Sequence, residues 1–167
     1  MKKKKTRTQR IKTRARRSLR TRIQVKKKNY VVDTSAIINK FLPKLIRKGL
    51  KGKLIIPNAV MAELENLANK GREEGFIGLE EVAKLHNRKY IKIYFYGLRP
   101  NEMQIKFAKS GEIDAIVRNI ARKTKAILVT ADLVQAKSAQ AYNIPVLYLK
   151  PKTQEKKKKF SLLFWKK

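Results

Sequence analysis

The stretch AILVTADLVQAKSAQAYNIPVLYL, residues 126–149, joins two short apolar runs through a helical segment. The runs predict strands over 126–130 and 145–149, and the segment between them predicts a helix over 133–142. A helix that connects two strands is typical of a parallel sheet, because parallel strands need a crossover. Asp132 follows the first strand, at the carboxyl edge where open α/β sheets hold their ligands.

Asp132 has two interpretations. It can cap the following helix, with Gln135 three residues later completing a capping box. Alternatively, its carboxylate belongs to a ligand site. The residue alone does not decide between them, so the rest of the chain has to.

The same alternation of strands and helices extends upstream. Further strands are predicted at 30–32, 54–56 and 91–96. Further helices are predicted at 35–49 with a kink at Pro43, at 58–70, from Gly78 to 89, at 101–109 and at 112–123. This order predicts the α/β class, with a three-layer αβα sandwich around a mostly parallel sheet.

Positive charge is concentrated at the two ends of the chain. The 167 residues carry a net charge of +31, and residues 1–28 hold 15 Lys and Arg without an acid. Residues 150–167 hold eight more with a single acid, Glu155, and leave a body over 29–149 with a net charge of +9. Such segments have too little apolar surface to fold alone and are usually tails for polyanions.

The predicted RNA contacts are the basic side chains of these two tails. They are Lys2, Lys3, Lys4, Lys5, Arg7, Arg10, Arg14, Arg16, Arg17, Arg20, Arg22, Lys156, Lys157, Lys158 and Lys159. The Phe160–Trp165 segment of the C-terminal tail adds aromatic residues, and three roles stay open for it. They are RNA stacking, an interfacial membrane anchor, and folding back onto the body.

Composition also excludes several classes of protein. The chain has no cysteine, which excludes a disulfide framework, a zinc ribbon and a thiol nucleophile. No apolar stretch approaches the roughly 20 residues of a membrane span. Residues 1–28 lack the apolar centre of a secretory signal. We therefore expect a soluble, cytoplasmic protein without a membrane span.

Three further acids stand in unusual positions. Asp33 directly follows the first predicted strand, as Asp132 follows a later one. Glu63 lies three residues from Val60 and shares the apolar face of its helix, whereas Glu65 points elsewhere. Asp114 borders the apolar stripe of its helix. A buried carboxylate is costly unless it is paired or bound to a metal.

Ordinary structural roles remain open for each of these acids. Asp33 can cap the next helix, Glu63 can pair with a lysine, and Asp114 can pair with Arg118. If the acids converge, they need a cation, since two carboxylates about 5 Å apart repel by roughly 3 kcal/mol at a dielectric constant near 20. Mg²⁺ or Mn²⁺ suits such oxygen ligands and can activate water against a phosphodiester. Together with the tails, this favours nucleic-acid cleavage.

The segments NYVVDTSAII, IIPNAVMAELENLANKGREEGFIGLEEVAKL, EIDAIVRNIA and AILVTADLVQAKSAQAYNIPV resemble the PIN domains, a family of metal-dependent ribonuclease folds. The resemblance covers about residues 29–149. The segment after Glu63 looks most like the PIN domains attached to archaeal ATPases or TRAM domains. The resemblance implies that Asp33, Glu63, Asp114 and Asp132 are catalytic, metal-binding acids, with Ser35 and Thr130 in support. Many PIN domains dimerise, so a homodimer stays open.

The chain also departs from particular PIN proteins. It has neither a glycine-rich ATPase loop nor the cysteine cluster of the PIN proteins that mature small-subunit RNA. His86, the one histidine, is expected on the surface rather than in catalysis.

Two functions remain in competition. The first is stable residence on structured RNA, with rRNA in a ribosomal subunit expected because the tails resemble those of ribosomal proteins. The chain would then be cytoplasmic and ribosome-associated, with an acidic site that is either used or idle. The second is a free Mg²⁺- or Mn²⁺-dependent endoribonuclease, in RNA processing or as a toxin. The toxin is disfavoured because such nucleases usually lack long basic extensions.

Overall fold

A computed structural model describes residues 28–86, 88, 91–107 and 111–151. The predicted RNA contacts from Lys2 to Arg22 and from Lys156 to Lys159 lie outside these residues, as does the Phe160–Trp165 segment.

Five strands form one sheet within the described residues. They are β1 (Lys28–Val32), β2 (Gly52–Pro57), β3 (Ile91–Tyr96), β4 (Ile127–Thr130) and β5 (Val146–Tyr148). Their order is β3-β2-β1-β4-β5, and every neighbouring pair is parallel. The central strands β1, β2 and β4 end in buried residues, as expected of strands covered on both faces.

Seven helices flank this sheet in the described part of the chain. They are α1 (Thr34–Ile38), α2 (Phe41–Arg47), α3 (Asn58–Asn69), α4 (Glu73–Leu85), α5 (Glu102–Phe107), α6 (Glu112–Lys123) and α7 (Leu133–Ala141). The α/β class and the parallel sheet predicted from the sequence are confirmed. No helix among the described residues is long and apolar enough to cross a membrane.

Two predicted helices differ from the observed ones. The predicted helix over 35–49 is two helices, and the break is at Asn39 and Lys40 rather than at Pro43. Lys40 adopts a left-handed conformation, with φ of 54°. Pro43 lies in the first turn of α2, where its missing N–H breaks no helical hydrogen bond. The helix expected from Gly78 begins five residues earlier, at Glu73.

Close contact between α3 and α4 accounts for the two glycines inside α4. A Cβ atom on Gly75 would lie 2.2 Å from the backbone nitrogen of Ala68, and one on Gly78 would lie 2.3 Å from Cδ2 of Leu64. Glycine weakens a helix in isolation, but here it allows two helices to approach more closely than alanine would. This contact fixes α3, which carries Glu63.

The strand order places a crevice beside β1. The chain proceeds outward from β1 to β2 and β3, and then returns to the other side of β1 with β4. At such a switch point, the connections after β1 and β4 leave in opposite directions and open a crevice at the carboxyl edge of the sheet. Asp33 follows β1 at this point, and Asp132 follows β4.

We predict that Gly75→Ala destabilises the fold. The added methyl group meets backbone atoms of α3, which cannot rotate away. The free energy of unfolding should therefore fall by about 1–3 kcal/mol. Gly78→Ala meets the end of a flexible leucine side chain and should cost less. Urea denaturation measures both. At an open helical position, Gly→Ala is stabilising by about 1 kcal/mol, so a gain in stability for Gly75→Ala would contradict the close contact.

Candidate active site

The four predicted acids line one cavity at the switch point. This cavity has a volume of about 460 Å³. Its polar and charged lining residues are Asp33, Thr34, Ser35, Glu63, Asn66, Arg72, Glu74, Asp114 and Asp132. Four acids that lie up to 99 residues apart in the sequence are therefore brought to one surface of the molecule.

Two hydroxyl groups hold the buried carboxylate of Asp33. Its Oδ2 accepts hydrogen bonds from Ser35 Oγ at 2.6 Å and from Thr130 Oγ1 at 2.8 Å. Each hydroxyl has a single hydrogen, so both then act as acceptors toward the backbone. Ser35 Oγ accepts from the N–H of Ala131 at 2.9 Å, and Thr130 Oγ1 accepts from the N–H of Asp132 at 3.0 Å. The hydroxyls thus tie Asp33 to the turn after β4.

Asp132 does cap α7, as one interpretation of the sequence predicted. Its Oδ1 accepts from the N–H groups of Val134 at 2.6 Å and Gln135 at 3.0 Å. The expected capping box is wrong in its second half, because the backbone N–H of Asp132 is bonded to Thr130 and not to the Gln135 side chain. Both capping bonds end on one oxygen of an exposed carboxylate, so capping is compatible with a role in a ligand site.

The Gln135 side chain instead connects α6 to α7. It is fully buried, and its Oε1 accepts from Arg118 Nη1 at 2.6 Å. Its Nε2 donates to the backbone carbonyl of Asp114 at 3.3 Å. Arg118 therefore bonds to Gln135 and not to Asp114, a pairing that the sequence had left open. One glutamine fixes the helix of Asp114 relative to that of Asp132.

Glu63 is held by a threonine rather than by a lysine. Its Oε2 accepts a hydrogen bond from Thr34 Oγ1 at 2.5 Å. The neighbouring Glu65 forms an ion pair with Arg99, in agreement with the expectation that it points away from Glu63. Thr34 follows Asp33 directly, so the first turn of α1 contacts two of the four acids.

Burial and mutual repulsion favour the protonated forms of three of these acids. Burial raises the pKa of Asp33 above its ordinary value, and the charge of Asp132 adds to this, although hydrogen bonds from Ser35, Thr130 and the Thr34 backbone oppose it. The pKa of Glu63 is likewise raised, first by burial and then by Asp33 and Asp114, against the bond from Thr34.

Burial and the charges of the same acids also shift the pKa of Asp114. Burial raises its pKa, and the charges of Asp33 and Asp132 raise it further, while the positive charge of Arg118 lowers it. The acids thus influence one another through the cavity. A bound cation would relieve this repulsion.

The donor set fits a hard divalent ion in its chemistry. All four side chains offer carboxylate oxygens, the ligands that Mg²⁺ and Mn²⁺ prefer. Within the described ranges, however, no group of three or more His, Cys, Asp or Glu side chains is arranged to hold an ion as it stands. Coordination by three or more of these acids would therefore require their side chains to rotate toward one another.

Sequence reasoning missed several residues of this cavity. Thr34 has no distinguishing pattern in the sequence, and Gln135 was predicted only as part of a capping box. Arg72 and Glu74, which form an ion pair of 3.3 Å, were not considered. No sequence spacing signals these contacts, because the partners of Thr34 and Gln135 lie 17 to 29 residues away in the chain.

His86 is exposed and does not line the cavity, as expected from the sequence. Its ring lies 6.2 Å from the ring of Phe95 in a stacked arrangement, and its Nδ1 lies 3.3 Å from the carbonyl of Val82.

Comparison with known proteins supports the resemblance seen in the sequence. Residues 30–148 match the family model described as PIN domain. The chain is 43% identical, over 136 residues, to an uncharacterized KH and PIN-domain containing protein of Methanocaldococcus jannaschii. This alignment covers 77% of the chain but 21% of the relative, so the chain spans about a fifth of the relative's length.

A solved structure shows the same fold. It is a domain of a functionally unknown protein from Methanocaldococcus jannaschii, which aligns with a TM-score of 0.71 and 41% identity. The alignment covers 77% of this chain and 95% of that domain.

We predict that stability in the absence of metal declines as the pH rises. Burial raises the pKa values of Asp33, Glu63 and Asp114 in the folded chain, so these groups lose their protons at a higher pH when the chain is folded than when it is unfolded. The free energy of unfolding should therefore fall from about pH 4 through the higher folded pKa values and then level off. Asp33→Asn removes one of the mutually repelling charges, so the stability of this variant should decline less with pH. At pH 8 its melting temperature should exceed that of the wild type by about 2–4 °C for each kcal/mol of repulsion removed.

Thermal melting at pH 5 and pH 8, with and without MnCl₂, measures both effects. The ion should raise the melting temperature of the wild type at pH 8 and raise that of Asp33→Asn less. Glu102→Gln, at an exposed position outside the cavity, is the control and should respond like the wild type. An equal response of wild type and Asp33→Asn would show that Asp33 does not contribute to ion binding.

Proposed function

Because the chain belongs to the PIN-domain family, we propose that it is an RNA-bound protein that retains a site for Mg²⁺- or Mn²⁺-dependent endoribonucleolytic cleavage. The proposed partner is a structured RNA, namely rRNA in a ribosomal subunit. The proposed location of the protein is the cytoplasm. The observation that supports this most directly is the meeting of four acids in one cavity. Those acids occur in a chain of net charge +31.

The proposed ligands of the ion are Asp33, Glu63, Asp114 and Asp132. When bound, the ion would supply Lewis-acid activation of water and neutralise charge on the phosphodiester. The remaining residues position these ligands. The hydroxyls of Ser35 and Thr130 both donate to Oδ2 of Asp33. Neither hydroxyl therefore occupies Oδ1, the oxygen proposed to face the ion.

Thr34 and Gln135 hold the remaining ligands. Thr34 fixes one oxygen of Glu63, and Gln135 links the backbone of Asp114 to α7. These bonds keep the carboxyl groups at one cavity, and coordination by three or more of them would still require their side chains to rotate toward the ion.

The basic tails support residence on RNA. If about 10 of the cations in residues 1–28 contact phosphates, the logarithm of the binding constant would change with the logarithm of salt concentration with a slope near −9 on duplex statistics. A slope of this size means that the sequence-independent affinity is strong at low salt and falls by about 10⁵-fold between about 50 and 200 mM salt. The N-terminal cations would therefore bring the protein to a large structured RNA, and residence through raised salt would need contacts besides these phosphates.

A free endoribonuclease is the second candidate. It is favoured by the cavity, which is open enough to be lined by exposed Asp132 as well as buried Asp33. Sedimentation of the protein in native lysate, at low and raised salt, separates the candidates. Migration with a ribosomal subunit through a salt wash supports stable residence, whereas recovery at the top of the gradient supports the free enzyme.

We predict that Glu63→Gln and Asp33→Asn each abolish Mn²⁺-dependent RNA cleavage while leaving RNA affinity nearly unchanged. The amides preserve volume but remove the charge that binds the ion. Glu65→Gln is a matched control on the same helix, since its carboxylate pairs with Arg99 outside this cavity. Cleavage of a labelled RNA and its binding are measured in parallel. Equal cleavage by wild type and both cavity variants would remove the nuclease function.

Deletion of residues 1–25 tests the N-terminal tail without cutting β1, which begins at Lys28. The deleted segment holds 12 Lys and Arg. We expect weaker RNA binding and a smaller salt slope, by about 0.9 for each phosphate that the shortened chain no longer neutralises. The slope is measured from affinities across a salt series. An unchanged slope would show that this tail does not contact phosphate.

A further inference from the structure

The outer edge of the sheet exposes aromatic side chains that the acidic cavity does not use. β3 is an edge strand, and side chains alternate between its faces, so Lys92, Tyr94 and Tyr96 share one face. Tyr94 is 41% exposed and Tyr96 is 48% exposed. Phe95 lies on the opposite face beside His86. Neighbouring exposed rings of this kind mark an interaction surface.

Two lysines accompany the two tyrosines. Lys53 of β2 is in register with Lys92 of β3, and both are exposed. The Nζ of Lys53 lies 5.2 Å from the centre of the Tyr94 ring, within the range of a cation–π contact. We call these four residues, Lys53, Lys92, Tyr94 and Tyr96, the sheet-edge platform.

The two lysines favour an anionic partner. Like charges directly opposite each other on adjacent strands are destabilising, so this pair weakens the sheet unless a negative ligand neutralises it. Lysines on an edge strand also oppose pairing with the edge of another sheet. Both effects disfavour a second copy of this basic chain as the occupant.

We infer that the sheet-edge platform binds single-stranded nucleic acid, with bases stacked on Tyr94 and Tyr96 and phosphates near Lys53 and Lys92. The rings stand two residues apart on one face, about 6.6 Å along the strand, which suits successive bases on successive rings. Stacking needs unpaired bases, so a duplex cannot use the two rings in this way. This inference rests on the proposed RNA function.

A second cavity lies beyond the end of β3 and adjoins the acidic cavity. It has a volume of about 570 Å³ and begins directly after β3, with Leu98, Arg99 and Pro100 in its lining. Ile113 lines both this cavity and the acidic one. All five strands are parallel, so β3 ends at the same edge of the sheet as β1 and β4. A nucleic-acid strand lying along Tyr94 and Tyr96 would therefore leave the platform at the sheet edge where the carboxylates lie.

The test compares the affinity of the full chain for a labelled oligouridylate and for an RNA duplex of equal length. The double variant Tyr94→Ala/Tyr96→Ala should lose about 5-fold or more in single-strand affinity for each ring, by the usual worth of base stacking. Its duplex affinity should be unchanged. Tyr94→Phe/Tyr96→Phe keeps the rings and should bind like the wild type. Tyr148→Ala, on the opposite edge strand, is the control for an exposed tyrosine.

The contribution of the two lysines is measured separately, through the salt dependence of single-strand affinity. Lys53→Gln/Lys92→Gln should reduce the single-strand salt slope by about 1.4, at about 0.7 for each phosphate. The tyrosine variants should leave the slope unchanged, since stacking releases no counterions.

Ultraviolet crosslinking of the oligouridylate to the wild-type chain provides a measurement that needs no variant. Crosslinks mapped by mass spectrometry are expected at Tyr94 or Tyr96, and crosslinks confined to other residues would overturn the inference.

Several other results would also overturn it. Wild-type single-strand affinity in the alanine variant would refute the platform while leaving the proposed RNA function intact. Equal reduction of single-strand and duplex affinity would show that the rings do not select unpaired bases. A change from dimer to monomer in sedimentation, with RNA affinity retained, would identify the surface as an interface between copies. If the wild type binds neither RNA, the platform and the proposed function fail together.

Discussion

The burial of the Asp33 carboxylate at the junction of β1 and β4 is the constraint on which the site depends. A charge removed from water needs compensating bonds. Ser35 and Thr130 provide two of them, at 2.6 and 2.8 Å. Because the same hydroxyls accept hydrogen bonds from the backbone of Ala131 and Asp132, the position of Asp132 is determined by the residues that solvate Asp33. Neither acid can move far without breaking this small network.

The other two acids depend on packing at a distance from them. Glu63 faces the cavity because α3 is held against α4, and the backbone of α3 leaves no room for a side chain at Gly75. Asp114 is placed by the buried side chain of Gln135, which links α6 to α7. The helices that carry Glu63 and Asp114 are therefore each fixed by a contact that contains no carboxylate. This separation allows the site to concentrate negative charge while the fold is stabilised elsewhere.

Much of this arrangement follows from local sequence patterns. The positions of Asp33 and Asp132 after buried strands, and of Glu63 on the apolar face of its helix, made them candidates for one site. The resemblance to the PIN domains then implied that they meet. Periodicity could not predict that α4 begins at Glu73, since Gly75 and Gly78 read as breaks until their contact with α3 is known. Likewise, the partners of Thr34 and Gln135 are set by tertiary packing, which a local pattern does not contain. The helix break at Lys40 was not predicted either, because no reliable sequence pattern indicates a lysine in the left-handed conformation.

The distribution of charge suggests why RNA binding and cleavage would be separable in the proposed function. The tails carry most of the positive charge, while the cavity gathers four acids that repel one another and would repel a phosphodiester. Without an ion, electrostatics would bring RNA to the protein but hold its backbone away from the carboxylates. A divalent ion would offset part of this negative charge and provide a positive centre that a phosphodiester can approach. Residence on RNA would then depend on the tails and chemistry on the ion, so the same chain can stay bound whether its site is used or idle.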